Sequence, residues 1–529
     1  MRTRLLPALM LIVAAARSAP PTFNIVDYGA RNDGSAIATE AFRSAIHAAQ
    51  AAGGGTVFVP AGQYLSGPIE LVSNLVLHLE AGATVRFPAA LLPFTKGRWQ
   101  GIEAITPVPL IGGRNLENVT ITGRGVLTTN QAEWIRIMGV PASGPDWLRL
   151  LELLELKQPV PEAEYRKAAP QLVPMFISIM EGRNILIEGI HIVGSAMWPI
   201  QLLYTDNAVV QGVMVETPGG YDTGGIYLDS SRNVRISDCY IDTGDDGIVI
   251  KSGKDADGRR VSRPSENISI TNCTVRHAHG AVVLGSEISG GIRNLVAANI
   301  TCNGTQMGIR IKSRRGRGGS IENVRFDNWT MENVARGINI SSFYVMPPEN
   351  QSTPPPEPVS ERTSIFRNIA ISHMTIHHAR LAINIEGIPE MPIDGLRISD
   401  VVASAEIGLK AFNTRAMELR HITLDTTSGP AFLIRDSTEL ELDGVSSRKP
   451  RADTPVIRLD HCPGAIIRRS HAFAGTGTFL SVAPGEMKTM VLVDNLLSRA
   501  GKPGEESAHE YPMIPESATE EPAKVNSGP

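Results

Sequence analysis

Residues 221–253 read YDTGGIYLDSSRNVRISDCYIDTGDDGIVIKSG. Asn233 opens an alternation of apolar and polar residues, NVRISDCYI. A glycine-flanked acid pair, Asp245 and Asp246, then leads into a second run from Ile248 to Lys251. Alternation at period two marks a strand, and Gly-Asp-Asp-Gly marks a tight turn entering one. An acid pair in such a place ordinarily does no more than satisfy turn amides. Its surroundings decide whether it does more.

The unit recurs on both sides. Copies begin at Asn118 (NVTITGRGVL), Asn184 (NILIEGIHIV), Asn207 (NAVVQGVMV), Asn267 (NISITNCTV), Asn294 (NLVAANITC), Asn323 (NVRFDNWTM) and Asn368 (NIAISHMTI), with weaker copies near Leu396, Leu419 and Leu440. The spacing of the clearest copies, roughly 23 to 34 residues, is that of one solenoid coil. No copy can bury its inner face alone; stacked, they predict an all-β parallel β-helix with a Val, Ile and Leu interior. A recurrent Asn suits a turn whose side chain bonds the neighbouring coil. A β-propeller needs longer repeats of four strands each.

The chain has 529 residues, 50 of them Gly, with 5% aromatics and a net charge of -4. This favours many short strands and gives no support for nucleic-acid binding. The four cysteines (Cys239, Cys273, Cys302, Cys462) form no CxxC pair, so no zinc site or other metal is expected. The repeat frame stacks Cys239 on Cys273, with buried thiols expected and a bridge left open.

Several segments depart from the rhythm. Residues 1–19 combine basic, apolar and small-residue parts, the pattern of a secretory signal peptide, so a secreted or periplasmic product is expected. Thr39 to Ala52 is an amphipathic helix ended by Gly53–Gly55, placed to cap the stack. Residues 131–171 read as a helical insertion and 346–362 as a Pro-rich loop. The β-helix domain is set at 20–500 and a disordered tail at 501–529. A monomer free of the membrane is expected after signal cleavage.

Equal offsets in adjacent coils lie side by side, about 4.8 Å apart. Asp245 lies twelve residues after Asn233 and His279 twelve after Asn267, which makes them neighbours. Lys251 and Lys312 share an offset of eighteen from Asn233 and Asn294, and Arg310 and Lys312 point to one side of a strand. Acids beside cations suit acid/base work on an anionic substrate, one carboxyl keeping its proton as acid while the other serves as base. Arg310 can clamp a carboxylate. The basic loop SRRGRGG at 313–319 reads as a positive rim that attracts polyanions.

At these residues the chain resembles the polygalacturonase family of pectin-degrading glycoside hydrolases. The motifs are DTGG at Asp222, TGDDG at Thr243, HG at His279 with GSE at Gly285, and RIK at Arg310. The resemblance implies a right-handed, single-stranded parallel β-helix without cofactors. It implies inverting hydrolysis of α-1,4-galacturonosyl linkages in pectic polysaccharide or oligogalacturonides, with exo action open. Asp245 resembles the general acid, Asp246 the base that holds water, and His279 the residue that tunes the acid. Arg310, Lys312 and, more loosely, Tyr344 resemble the substrate contacts; Lys251 joins them through the coil frame. One motif departs. The family's Asn-Thr-Asp-Gly is here Asp222-Thr223-Gly224-Gly225, so Gly224 replaces a catalytic carboxylate. Asp222 stands two residues earlier, roughly 7 Å away by strand rise. Asp222 is therefore carried as a catalytic candidate. A pectic-glycan-binding pseudoenzyme, a rhamnogalacturonan hydrolase and a lyase stand as alternatives.

Overall fold

The computed structural model describes residues 21–139, 144–156, 160–344 and 355–511. The Asn repeat is a coil, and the coils stack. In one sheet of 38 strands the partners of each strand lie one coil away and run parallel to it. The register is carried by one inward position per coil. Ile69, Ile111, Ile177, Ile200, Ile226, Ile248, Val282, Ile309, Ile338, Ile383, Leu409, Phe432, Ile457 and Leu480 pair in succession. None is more than 3% exposed. Burying each such side chain is worth about 1.5–3 kcal/mol, so the column is the main source of stability. The right-handed parallel β-helix of the sequence reading is the fold found.

The repeat Asn residues make the turns. Asn118, Asn184, Asn207, Asn267, Asn294, Asn323 and Asn368 all hold positive φ between 50° and 57°. This region suits Asn because its short side chain bonds locally. Each amide donates to the coil before: Asn267 to Asn233 at 3.1 Å, Asn294 to Asn267 at 3.2 Å, Asn368 to Asn323 at 2.6 Å. Asn233 departs, donating to Asp206 rather than to Asn207.

Helix α1 (Thr39–Ala51) buries Ala41, Phe42, Ala45, Ile46 and Ala49 over the first coils, closing the end of the column. The insertion contains α2 (Gln131–Met138), α3 (Pro145–Glu155) and α4 (Glu162–Ala168). A fifth helix, α5 (Asp255–Val261), leaves the coil just after Lys251.

The repeat gives no warning of an antiparallel hairpin, Phe94–Trp99 with Ile102–Pro107, that stands off the helix. Its Arg98 reaches back to a fully buried ion pair with Asp229, 2.8 Å, and bonds Ser230 at 2.9 Å. Glu103 accepts from Tyr204 at 2.9 Å, and its backbone N–H donates to Asp257 of α5 at 2.9 Å. The hairpin is thereby fixed across several coils, and α4 packs against its second strand.

The expected tail at residue 501 is corrected: Lys502–Glu506 is a strand paired with Thr478–Val482, because Gly504 and its neighbours continue the coil register. The described part of the Pro-rich loop, 355–362, is irregular, and Glu357 reaches Arg315 at 3.2 Å. The signal segment 1–19, residues 345–354 and residues 512–529 lie outside the described residues. All four cysteines are free and buried. Among the described residues no helix is long and apolar enough to cross a membrane.

Candidate active site

Four adjacent strands build the site: Ile226–Asp229, Ile248–Lys251, Val282–Gly285 and Met307–Lys312. Ile248 opposes Val282, so the turn residues three places before each, Asp245 and His279, stack as well. The His279 amide donates to the Asp245 carbonyl at 3.1 Å, and its Nδ1 lies 3.0 Å from Asp245 Oδ1. Asp246 points to the next coils. It accepts from Lys312 Nζ at 2.7 Å and from Arg310 Nη1 at 3.3 Å, all three side chains nearly inaccessible. Tyr344 closes over these cations, with its ring centroid 4.9 Å from Lys312 Nζ.

Asp222 lies in a turn rather than on an extended strand. Its φ of 51° turns it out of the extended path and brings its carboxyl into hydrogen-bonding contact with Asp245. Gln100, at the tip of the hairpin, donates to its other face at 3.0 Å. Burial, and then the charge of Asp245, push the Asp222 carboxyl up to about 7. Asp245 moves the opposite way: burial opposes its charge, but the His279 hydrogen bond and Lys312 outweigh that and hold it below the usual carboxylate range. His279 is raised by the same bond. The resting proton of the pair thus sits on Asp222, and the shared pair is Asp222–Asp245 rather than Asp245–Asp246.

Tyr227 completes the arrangement. Its ring stacks on Trp198 with centroids 4.0 Å apart, and its hydroxyl lies 3.4 Å from Asp245 Oδ2. Burial, and then the nearby carboxylates, hold the phenol protonated, so it can only donate to Asp245. The ring fills the space beside Gly224, where the resemblance expected a carboxylate.

Three expected substrate contacts are used differently. Lys251 forms a buried ion pair with Glu287, and its Nζ sits 5.6 Å from the Trp198 ring centroid; it lines the cavity as part of a structural pair. Arg310 and Lys312 address Asp246 directly instead of standing as an isolated clamp on a strand face. Gln100, Trp198, Tyr227, Lys254, Glu287, Arg314 and Arg317 complete the lining of a cavity of about 290 Å³ that holds Asp222, Asp245 and Asp246. A larger cavity, about 620 Å³, lies between α1 and the hairpin, but it lacks the acid cluster, and the chemistry belongs to the smaller one.

One oxygen of each of Asp245 and Asp246 and one nitrogen of His279 lie within 4.8 Å of one another, close enough to consider a metal. The donors are already engaged: Asp245 by His279 and Tyr227, Asp246 by Lys312 and Arg310. The cluster is organised for moving protons.

The chain is similar to known proteins over most of its length. The family description "Glycosyl hydrolases family 28" matches residues 162–417. A second, "Rhamnogalacturonase A/epimerase, pectate lyase-like", matches 22–83. The hyperthermoactive exopolygalacturonase of Thermotoga maritima superimposes with a TM-score of 0.64 at 32% identity, over 73% of this chain and 89% of that one. A probable polygalacturonase of Vitis vinifera is 28% identical over 82% of this chain and 84% of its own. An exo-poly-alpha-D-galacturonosidase of Dickeya chrysanthemi is 27% identical over 61% of this chain and 57% of its own. The chain belongs to glycosyl hydrolases family 28, within its polygalacturonase-like, pectin-degrading group. It is a glycoside hydrolase.

Proposed function

We propose that this protein is an exported hydrolase of α-1,4-galacturonosyl bonds that works from chain ends. The observation that carries the reading is the cavity that holds Asp222, Asp245, Asp246 and Lys312, with His279 bonded to Asp245 and Arg310 to Asp246. Asp245 delivers to the glycosidic oxygen the proton it shares with Asp222. Asp246 takes a proton from the attacking water, whose oxygen bonds to the anomeric carbon as the glycosidic C–O bond breaks. His279 and Tyr227 orient Asp245 throughout. Arg310 and Lys312, with Tyr344 above them, border the place where a substrate carboxylate enters.

One oxygen of Asp245 and one of Asp246 lie within 4.8 Å of each other, nearer the carboxyl spacing of retaining enzymes, roughly 5–5.5 Å, than that of inverting ones. Inversion is nonetheless the reading that the family resemblance supports, with Asp246, held as an anion by Lys312 and Arg310, taking the water's proton. Exo action is supported by the hairpin. Gly101, beside Gln100, accepts from the Lys254 amide at 2.8 Å, so the tip lies against later coils as a wall of the cavity. A volume of about 290 Å³ suits one end of a chain better than a long polymer.

The experiment is hydrolysis of polygalacturonate and of rhamnogalacturonan, followed by reducing-end release and product size. The reading expects short products from polygalacturonate from the first minutes. An early ladder of mid-sized products would remove the exo reading. Release from rhamnogalacturonan alone would move the substrate. An unsaturated product would mean a lyase, and no release with retained binding would mean a glycan-binding pseudoenzyme.

A further inference from the structure

The two ends of the solenoid are finished differently. At the first end α1 lies over the coils. At the other end no described helix plays that part. A second column of inward residues, Ile371, Ile398, Leu419, Leu442, Ile467 and Leu492, pairs in succession across the later coils. All but the last are at most 1% exposed, whereas Leu492 is 44% exposed. The core therefore reaches solvent at Leu492. Val491 and Val493 beside it on the strand Val491–Val493, and Leu496 just beyond, are exposed as well. That strand pairs only with Ile466–Arg468, and Lys502–Glu506 only with Thr478–Val482, so each keeps one edge without a strand partner among the described residues. An apolar free edge is a template for another chain, and the terminal repeats of a stack ordinarily carry a polar outer face.

We infer that this end docks a second copy of the chain, edge to edge about a two-fold axis, giving an end-to-end dimer in place of the monomer expected from the sequence. Two observations choose this occupant over the chain's own last residues. The chain turns away from the open end: after Glu506 it runs back over earlier coils, where the Ser507 carbonyl accepts from Arg458 at 2.9 Å and the Tyr511 carbonyl from Arg435 at 2.6 Å. Residues 512–529 also hold prolines at 512, 515, 522 and 529, and a proline has no N–H to give to an edge strand. The edge suits its own copy instead. With the axis at Leu492, an antiparallel pairing sets Val491 against Val493 of the partner subunit and closes core on core. Lys488 precedes the strand and Asp494 follows it, so the same axis brings Lys488 toward Asp494 of the partner subunit, opposite charges together. One such contact uses the open end of both copies. With α1 over the other end, the assembly closes as a dimer and does not grow into a fibre. The active strands lie several coils away, so each protomer keeps its cavity open.

The test is the mass of the full-length protein, by sedimentation across a concentration series, with Val493→Lys and Leu492→Cys alongside. The expected result is a mass that doubles as concentration rises, with its midpoint raised roughly tenfold or more by Val493→Lys. Leu492→Cys places a thiol on the axis. Mild treatment with a small-molecule disulfide is expected to join it to its own copy, forming one protein disulfide and reducing the reagent to two thiols, while the four native cysteines stay buried. A monomer at every concentration overturns the inference. So does a dimer that Val493→Lys leaves intact, or one that Leu492→Cys fails to cross-link, because the contact then lies elsewhere. Circular dichroism of Val493→Lys separates a lost interface from a lost fold, and a misfolded variant leaves the decision to the cross-link. The outcome is independent of the hydrolase reading, since mass and cross-linking are read without substrate.

Discussion

Tyr227 occupies the room that a side chain at Gly224 would need. A Cβ at position 224 would stand 2.2 Å from the Tyr227 hydroxyl and 2.3 Å from the Asp246 carbonyl oxygen. The two residues are a matched pair: the small one admits the ring, and the ring's hydroxyl bonds Asp245. Gly224→Asp therefore does not restore the family's third carboxylate; it displaces Tyr227 and the turn that carries Asp246. Gly224→Ala is expected to destabilise by about 1–3 kcal/mol and to lower turnover. Tyr227→Ala on top of it should recover part of the stability. Thermal melts of the two single variants and the double variant give the coupling; strict additivity would mean the contact is not what limits position 224.

Loss of the acid should be felt in turnover. Asp245→Asn keeps the shape but can neither share nor deliver a proton, so kcat is expected to fall roughly 10²–10⁴-fold with trigalacturonate binding retained. Steady-state kinetics beside calorimetric binding check this. Unchanged hydrolysis would place the chemistry elsewhere.

The Asp222 proton sets an alkaline limit. Its carboxyl, raised to about 7, is protonated below that pH and ionised above it, so kcat/KM should decline through about pH 7. Stability carries the same sign. Between the unfolded carboxyl value of 3.8 and about 7, the native state holds a proton that the unfolded chain has released, so stability falls as pH rises. Asp222→Asn should flatten that fall in pH-dependent melts and alter the alkaline limb of the rate profile. A limb that stays in place means another group sets it.

Removing one partner of the buried Arg98–Asp229 pair leaves an uncompensated charge. Asp229→Ala is expected to cost about 3–5 kcal/mol. It should also free the hairpin that carries Gln100, so KM for oligogalacturonides should rise along with the loss of stability. Arg98→Met with Asp229→Leu, which removes both charges, should recover most of the stability. Denaturant unfolding of the three variants separates lost charge balance from lost packing.

The repeat made the coils legible, because a period-two pattern stacked at a fixed offset dictates which side chains meet. Asp245 beside His279, and Arg310 with Lys312 on one side of a strand, follow from counting alone. What counting could not reach lies off the repeat. Gln100 sits on a hairpin with no copy elsewhere in the chain, so no frame places it over Asp222. Asp222 itself was misplaced because strand rise assumes an extended path, and its φ of 51° breaks that path. Lys251 was in the right place but with the wrong task, since its partner Glu287 lies on the turn after the next strand. Arg314 and Arg317 were visible as a basic loop, but which of them is already paired depends on Asp255, a contact the sequence does not announce.

The column from Ile69 to Leu480 carries a consequence for how the molecule comes apart. Apart from the hairpin that ties Arg98 to Asp229, each coil is held mainly by the coils on either side, so opening proceeds from the ends inward rather than all at once. The active strands, from Ile226 to Ser341, lie in the middle of that column, with several coils on either flank. The end coils therefore act as a sacrificial buffer. Fraying, nicking or thermal loosening at either terminus must travel through them before the distance between Asp245 and Asp246 changes.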